Sequence, residues 1–189
     1  MDQDLPLLDR LLAGEETAFD TLMSKYQRSL CHLAYRLVGN AADAEDLAQQ
    51  AFVQAYQHMG SFQRQSSFKT WLYRIAINLC KNHRRRLRPS EPLSEEQPLS
   101  DGRPGVLSQL IADQRVERLR RALSSLPPRQ REVLVLRVYD ELPYEQIAAI
   151  VGCSENSAKV NFHHAVRSLR RQLNAAAAVR QTSFGELVL

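Results

Sequence analysis

The segment from Pro89 to Gly105 constrains the fold of this chain more than any other feature of its sequence. It combines four prolines with serine, glutamate and glycine and has almost no apolar residues, so it cannot bury enough surface to fold. We expect a flexible linker over 89–105. It divides the chain into an N-terminal module over 1–88 and a C-terminal module over 106–174, with a tail over 175–189.

Helix is the favoured local structure in both modules. The 189 residues include only seven glycines, while leucine, alanine, arginine and glutamine, all strong helix formers, recur throughout. A hydrophobic fraction of 44% is enough for each module to bury a core. We therefore predict an all-α fold of two small helical domains.

Several classes of protein are disfavoured because their sequence signals are missing. The cysteines Cys31, Cys80 and Cys153 are far apart, which argues against a disulfide framework or a zinc site. No apolar run is long enough to span a bilayer and the N-terminus lacks a secretion signal, so we expect a cytoplasmic protein. Without a phosphate loop, a nucleophile with its base or a histidine ligand set, we expect no catalytic residue, metal, cofactor or small-molecule substrate.

Charge is distributed unevenly along the chain. The formal net charge is +4, yet no acid occurs between Asp46 and Glu91, where eight lysines and arginines lie. A second acid-free stretch, Asn156 to Gly185, holds five more cations. Two separate basic surfaces indicate two contacts with a polyanion.

The first two helices of the N-terminal module follow from apolar residues at helical spacing. One runs from Ala18 to Leu37 and stops at Gly39, and the next begins at Asp43 and ends near Gly60. The apolar face of the second consists of Ala44, Leu47, Ala48, Ala51, Phe52, Ala55 and Met59. Its outward stripe consists of Asp43, Asp46, Gln50, Gln54 and Gln57. That stripe fits either a plain solvent face or a surface that meets arginines on a protein partner.

A third helix should begin after a Ser66 or Ser67 cap. Its predicted buried face is Trp71, Ile75 and Leu79, and its predicted outer face is Arg74, Asn78, Lys81 and Arg85. The aromatics Phe62, Phe68, Trp71 and Tyr73 lie close in sequence to these cations, which suits the capture of an unstacked single strand. Two simpler interpretations stay open. The cations can be merely solvated, with Arg84 to Arg86 favouring the helix dipole, and Trp71 fits a core residue better than a stacking platform.

The C-terminal module shows the pattern of a helix-turn-helix. A helix from Val116 to Leu126 breaks at Pro127-Pro128, and a short helix follows over Gln130 to Val138. Further on, Ala148 permits a close helix crossing, Gly152 suits the turn and Ser154 can cap the next helix. That helix should bury Ala158, Phe162, Ala165 and Leu169. It should offer Lys159, Asn161, His163, His164 and Arg167 to a major groove, with Arg170 and Arg171 near phosphates. An ordinary pair of antiparallel helices is the alternative.

Four segments, in this order, resemble the extracytoplasmic-function (ECF) sigma factors of bacterial RNA polymerase. They are Asp43-Ala-Glu-Asp-Leu-Ala-Gln-Gln-Ala-Phe52, Phe68-Lys-Thr-Trp-Leu-Tyr-Arg-Ile-Ala-Ile-Asn78, Leu126-Pro-Pro-Arg-Gln-Arg-Glu132 and Tyr144-Glu-Gln-Ile-Ala148. The resemblance covers both modules and includes the position of the linker. It also includes departures, since Pro143 stands where the family often has Ser or Thr, and Asn161, His164 and Val166 stand where arginine is common.

The resemblance implies an alternative sigma factor that binds core RNA polymerase and promoter DNA and is restrained by an anti-sigma factor, often one anchored in the membrane. It implies polymerase contacts at Asp43, Asp46, Gln49 and Gln50. It implies capture and melting of the minus-ten element by Ser61, Phe62, Arg64, Phe68, Lys69, Trp71, Arg74, Asn78, Lys81, Arg84 and Arg85. The helix-turn-helix would read the minus-thirty-five element through Ser157, Lys159, Asn161, His163, His164, Arg167, Arg170 and Arg171.

Two other functions remain open on the residues themselves. An autonomous repressor or activator would read an operator with its helix-turn-helix, and its N-terminal helices would serve as a dimer module. A helical adaptor would bind only protein, but it leaves both basic surfaces unexplained.

Overall fold

The computed structural model describes the backbone over residues 3–87 and 114–185 and the side chains over 3–87 and 119–174. Within these ranges the protein is helical and has no β-strand. The helices are α1 (Leu5–Leu12), α2 (Thr17–Val38), α3 (Ala41–Gln57), α4 (Phe68–Arg86), α5 (Gln114–Ser124), α6 (Pro128–Val138), α7 (Tyr144–Val151) and α8 (Glu155–Gly185). A 3-10 turn spans Met59–Ser61. The all-α prediction is confirmed.

The chain separates into two compact units, Met1–Ala112 (unit 1) and Asp113–Leu189 (unit 2). The linker predicted over 89–105 lies outside the described residues, as do its proposed ends at Arg88 and Val106. None of the described helices is long and apolar enough to cross a membrane.

In unit 1, α2, α3 and α4 pack against one another, and α1 packs against α2. Leu22, Leu30 and Leu33 of α2 are completely buried against apolar residues of the other two long helices. Burying a side chain of this size contributes about 1.5 to 3 kcal/mol, so the three-helix core supplies the main stabilisation of the unit. The predicted apolar face of α3 is confirmed in full, since every residue from Ala44 to Met59 named for it is buried.

Local signals set the helix ends of unit 1: those at Gly39 and Ser67 were predicted, whereas the cap at Asn40, which starts α3 at Ala41 and not at the predicted Asp43, was not. Gly39 ends α2 in the left-handed region, at φ +85°. Asn40 caps α3, its side-chain oxygen accepting from the Asp43 N–H at 3.0 Å. Ser67, one of the two predicted caps, accepts from the Thr70 N–H at 3.1 Å at the start of α4.

The predicted buried face of α4 is wrong in its rotation about the helix axis. Trp71, Ile75 and Leu79 are only half-buried. The buried residues are Phe68, Thr70, Leu72, Tyr73, Ala76, Ile77 and Cys80. The helix packs against both α2 and α3 and therefore buries a stripe two residues wide on successive turns. The predicted residues Trp71, Ile75 and Leu79, spaced four apart, lie along only one edge of that stripe.

Helix α1 was not predicted. It is only eight residues long, but it holds five leucines at helical spacing (Leu5, Leu7, Leu8, Leu11 and Leu12) and a proline in its first turn, a signal that the prediction missed. Its start is held by Asp4, which is 1% exposed and accepts hydrogen bonds from Lys25 and Tyr26 of α2. Leu8, which is completely buried, completes the contact with α2.

Unit 2 contains the predicted helix-turn-helix. Gly152 takes φ +75° between α7 and α8, and its N–H donates to the Ala148 carbonyl at 2.9 Å. Ser154 caps α8 by accepting from the Ser157 N–H at 3.1 Å. Ala158 and Ala165 are completely buried on the predicted inner side of α8, where Phe162 and Leu169 are half-buried. The backbone of α8 continues to Gly185, so the expected boundary between domain and tail at 174 lies inside a helix.

Candidate nucleic-acid interface

The outer face of α4 carries the predicted row of polar residues. Arg74, Asn78 and Arg85 are exposed, and Lys81 is half-buried. Their spacing of three or four residues places one on each successive turn of the same face. The whole helix lacks an acid, so nothing on α4 itself neutralises this row.

An aromatic cluster lies at the start of α4. The ring of Phe62 is 5.0 Å from that of Trp71 and 6.3 Å from that of Phe68, measured between centroids. Phe62 and Trp71 are half-buried, so each leaves part of a ring accessible for stacking. Trp71 was predicted to be a core residue, and its half-exposed position corrects that prediction.

Phe68 was expected to contact DNA, and the structure corrects this too. Its side chain is completely buried, with its ring 5.9 Å from that of Tyr26 and 6.1 Å from that of Trp71. The buried Phe68 ring packs against the partly accessible rings of Phe62 and Trp71. Phe68 was assigned to the DNA-binding set because it is close to the cations in sequence. Its ring instead packs against α2.

Three more of the predicted residues lie near the start of α4: Ser61 ends the 3-10 turn, Arg64 lies in the loop that follows, and Lys69 is the second residue of α4. The Ser61 hydroxyl donates to the His58 carbonyl at 2.7 Å. Arg64 forms an ion pair with Asp9 of α1 and takes φ +56°. Lys69 lies over the ring of Tyr73, with its Nζ atom 5.3 Å from the centroid. The Arg64 partner could not be predicted, because α1 itself was not.

The acidic and amide stripe on α3 faces outward as predicted. Asp46, Gln49 and Gln50 are exposed, and Asp43 is half-buried with an oxygen 3.3 Å from Nε2 of His83. A groove of about 320 Å³ runs between α3 and α4. Its α3 side includes Asp43, Asp46, Gln50 and Gln54, and its α4 side consists of Leu79, Asn82, His83 and Arg86. Arg86 therefore lies beside the acidic stripe.

One apolar residue of the α3 surface was missed in the sequence. Val53 is 55% exposed and borders the same acid and amide side chains. The only available signal was an apolar residue out of phase with the buried face, which a helical-wheel projection of 41–57 reveals. An apolar contact within a polar stripe is typical of a protein-binding surface.

The exposed face of α8 differs from that of α4 because several of its polar side chains bind groups within the same unit. Lys159 pairs with Glu155 at 2.7 Å, and its Nζ atom lies 5.9 Å from the ring centroid of Tyr144. The side-chain amide of Asn161 donates to the Ser157 carbonyl at 2.8 Å, and Ser157 is half-buried. The exposed remainder of the predicted set is His163, His164, Arg167, Arg170 and Arg171.

The arginines of the Leu126 to Glu132 segment have a structural role that the sequence did not reveal. Arg129 donates to the Val151 carbonyl at the end of α7. Arg131, which is 4% exposed, donates to the carbonyls of Ser124 and Leu126 at the end of α5. Both arginines belong to α6 and bind carbonyls that the ends of α7 and α5 leave unpaired. This segment therefore links the three helices that pack with α8.

The cysteines lie apart, as the sequence indicated. Cys80 is buried, while Cys31 and Cys153 are half-buried. Burial, with a smaller contribution from Glu45, raises the pKa of the Cys31 thiol and keeps it protonated. Over the described ranges, no three histidine, cysteine or acidic side chains come close enough together to hold a metal ion.

Comparisons with known proteins match both units. A family model described as Sigma-70 region 2 matches residues 22–89, and one described as Sigma-70, region 4 matches residues 116–169. The RNA polymerase sigma-H factor of Pseudomonas aeruginosa is 33% identical over 182 residues, covering 91% of this chain and 94% of that protein. The ECF RNA polymerase sigma factor SigW of Bacillus subtilis is 33% identical over 171 residues, covering 85% and 91%.

A solved structure gives a similar result. The sigma factor RpoE of Bartonella quintana, in complex with the anti-sigma factor NepR, is 26% identical with a TM-score of 0.64. The similarity covers 82% of this chain and 96% of that one.

Proposed function

The chain belongs to the ECF group of the sigma-70 family and is an alternative sigma factor, and on this premise we propose that its two units divide promoter recognition unequally. Unit 1 binds core RNA polymerase and captures the minus-ten element, and unit 2 reads the minus-thirty-five element. Sigma factors initiate transcription by binding, so the chain supplies affinity and geometry while the polymerase supplies the chemistry.

The outer face of α4 carries this proposal. It combines a helix without acids, exposed Arg74 and Arg85, and the half-exposed rings of Phe62 and Trp71 at one end. Cations attract the phosphates of either form of DNA, but aromatic faces stack only on bases that have left the duplex. The combination favours a melted strand over an intact duplex.

Polymerase docking is assigned to the outward stripe of α3. Asp46, Gln49, Gln50 and the half-buried Asp43 offer acceptors at one end, and Val53 offers an apolar contact further along. Carboxylates bind arginine forks in a defined orientation, and amides add hydrogen bonds without charge. A basic helical surface on the polymerase fits this stripe.

Upstream reading is assigned to α8. Its N-terminal turns place Lys159, His163, His164 and Arg167 on the solvent side of the helix-turn-helix, where a recognition helix meets base edges. Arg170 and Arg171 lie one turn further along, at a distance that suits the phosphate backbone. The imidazole rings of the two histidines offer hydrogen-bonding nitrogens to base edges.

Regulation by an anti-sigma factor is also proposed. The similar sigma factor RpoE was solved in complex with one. In this chain, an inhibitor that covers Asp46, Gln50 and Val53 would block polymerase docking directly. If purification from the native cell under non-inducing conditions recovers no stoichiometric inhibitor, this part of the proposal is wrong.

The decisive test is promoter-specific transcription in vitro with purified core polymerase and fragments of the native genome. The chain should confer initiation at discrete start sites, and Asp46→Lys should abolish it by reversing the charge of the docking stripe. Asp20→Lys, at an exposed position of α2, is the matched control and should stay active. Binding to duplex DNA in the absence of polymerase, without initiation, would indicate an autonomous repressor or activator instead.

A further inference from the structure

Helix α1 lies outside the segment that matches the family model for region 2, which begins at residue 22. Even so, it contacts the loop assigned above to minus-ten capture. Asp9, on the exposed side of α1, pairs with Arg64 across 55 positions of sequence. The pair joins α1 directly to the segment between the 3-10 turn and α4.

The backbone of Arg64 gives this contact its importance. At φ +56° the arginine Cβ crowds the neighbouring carbonyl, so a side chain rarely adopts this conformation without a compensating interaction. The ion pair with Asp9 is the interaction that the structure provides there. Asp9 thus favours a loop conformation that arginine alone disfavours.

Asp9 can act on the loop because α1 is held at both ends. Buried Asp4 is bound by Lys25 and Tyr26 at the start of the helix. Near its other end, Arg10 pairs with Glu15, which lies just beyond the helix. The hydrogen bond from Arg10 lowers the pKa of the Glu15 carboxyl to about 2.

A second chain of contacts joins α1 to the same loop. The ring of Tyr26, which binds Asp4, lies 5.9 Å from that of Phe68, and Phe68 contacts Phe62. The N-terminal helix and the capture loop therefore form one packed assembly.

We propose that Asp9 is a positioning residue for minus-ten capture, which orients Arg64 so that the same guanidinium binds a phosphate of the melted strand. The inference rests on the proposed function. A guanidinium has five N–H donors in one plane, so it can bind a carboxylate along one edge and a phosphate along another. The Arg64 side chain is 41% exposed, which leaves room for the second contact.

The experiment uses the full chain with core polymerase and a promoter that carries a fluorescent adenine analogue in its minus-ten element. The rate of the fluorescence rise reports strand opening, and a separate titration gives the affinity for core polymerase. Asp9→Asn should slow opening about 1.5- to fivefold, the range expected for an exposed ion pair, and leave the polymerase affinity unchanged. General destabilisation of unit 1 would lower both.

Arg64→Gly is the matched second variant, because it removes the whole side chain, guanidinium included, while glycine adopts the same backbone conformation without strain. It should slow opening at least as much as Asp9→Asn, and adding Asp9→Asn to it should change nothing further. Asp20→Asn, which removes an exposed acid from α2, should behave as wild type.

Two results would overturn the inference alone: an active wild type with an unaffected Asp9→Asn variant, or an Asp9→Asn effect of the same size in the Arg64→Gly background. A wild-type chain that opens no promoter with core polymerase would overturn the proposed function and this inference together.

Discussion

The outer faces of α4 and α8 are both basic, but they differ in what lies among the cations. Helix α4 contains no acid, and Arg74 and Arg85 are exposed on it. On α8, Glu155 pairs with Lys159, and Asn161 is bonded to the turn before it. The comparison teaches that a lysine paired with a carboxylate attracts DNA less than its charge suggests, because an ammonium is a single point charge, whereas a guanidinium such as that of Arg64 has a second edge for a phosphate.

The difference fits the two tasks we propose. A melted strand must be held against re-annealing, so unit 1 needs strong attraction for its phosphates together with stacking contacts for its unstacked bases. Reading a duplex in the major groove depends on hydrogen bonds to base edges, which neutral groups can make. The amide of Asn161 and the imidazole of His164 give α8 groups that can make such hydrogen bonds.

The largest expected effect is a loss of stability when the buried aromatic residue of the cluster, Phe68, is truncated. Phe68→Ala should destabilise unit 1 by about 3 to 5 kcal/mol, because it removes a fully buried ring. Trp71 is the only tryptophan of the chain, so denaturant unfolding followed by its fluorescence reports on unit 1 alone. A loss below about 1 kcal/mol would show that Phe68 is not a core residue.

The next effect tests whether unit 2 depends on its helix-capping arginines. Arg131→Met should cost about 2 to 3 kcal/mol, because it leaves the carbonyls of Ser124 and Leu126 without their donor. Circular dichroism should show earlier loss of helix, while the Trp71 transition in unit 1 stays in place. A shift of both transitions would mean that the two units do not unfold independently.

A smaller effect tests the comparison itself through salt. Replacing Arg74 and Arg85 by glutamine should reduce the slope of log binding constant against log salt by about 0.7 to 0.9 for each cation. The same change at Lys159 and Arg167 should reduce it less, because Glu155 already neutralises Lys159 in part. Holoenzyme binding to a promoter across salt concentrations gives both slopes. Equal reductions would remove the proposed inequality.

The smallest effect comes from releasing Lys159. Glu155→Gln removes an i, i+4 ion pair on the surface, worth about 0.2 to 0.5 kcal/mol, so binding of the upstream element should tighten about twofold. Glu145→Gln, on the exposed side of α7, is the charge-matched control. Weaker binding by the Glu155 variant would show instead that this carboxylate accepts a hydrogen bond from a base.

The sequence predicted the parts of the fold that depend on local signals. Gly39, Ser67, Gly152 and Ser154 end or begin helices as expected, because each acts through its own backbone or the next turn. The predicted buried face of α3 was also correct, because apolar residues recur at helical spacing over several turns of this long helix.

The parts that depend on tertiary contacts could not be predicted. The rotation of α4 is set by packing against two helices at once, and the burial of Phe68 follows from it. The pairing of Arg64 with Asp9 joins residues 55 positions apart in sequence, so it appears only once α1 is placed beside the loop. The capping role of Arg131 likewise appears only once α5 and α6 are placed together.

The central claim, that capture by unit 1 dominates promoter recognition, is tested most directly by selection from a promoter library. Templates randomised in the minus-ten and minus-thirty-five blocks would be opened by core polymerase with the chain, and the opened templates sequenced. We predict opening only when the chain is present, with strong base preferences in the minus-ten block and weaker ones upstream. Strong preferences upstream with none in the minus-ten block would contradict the account.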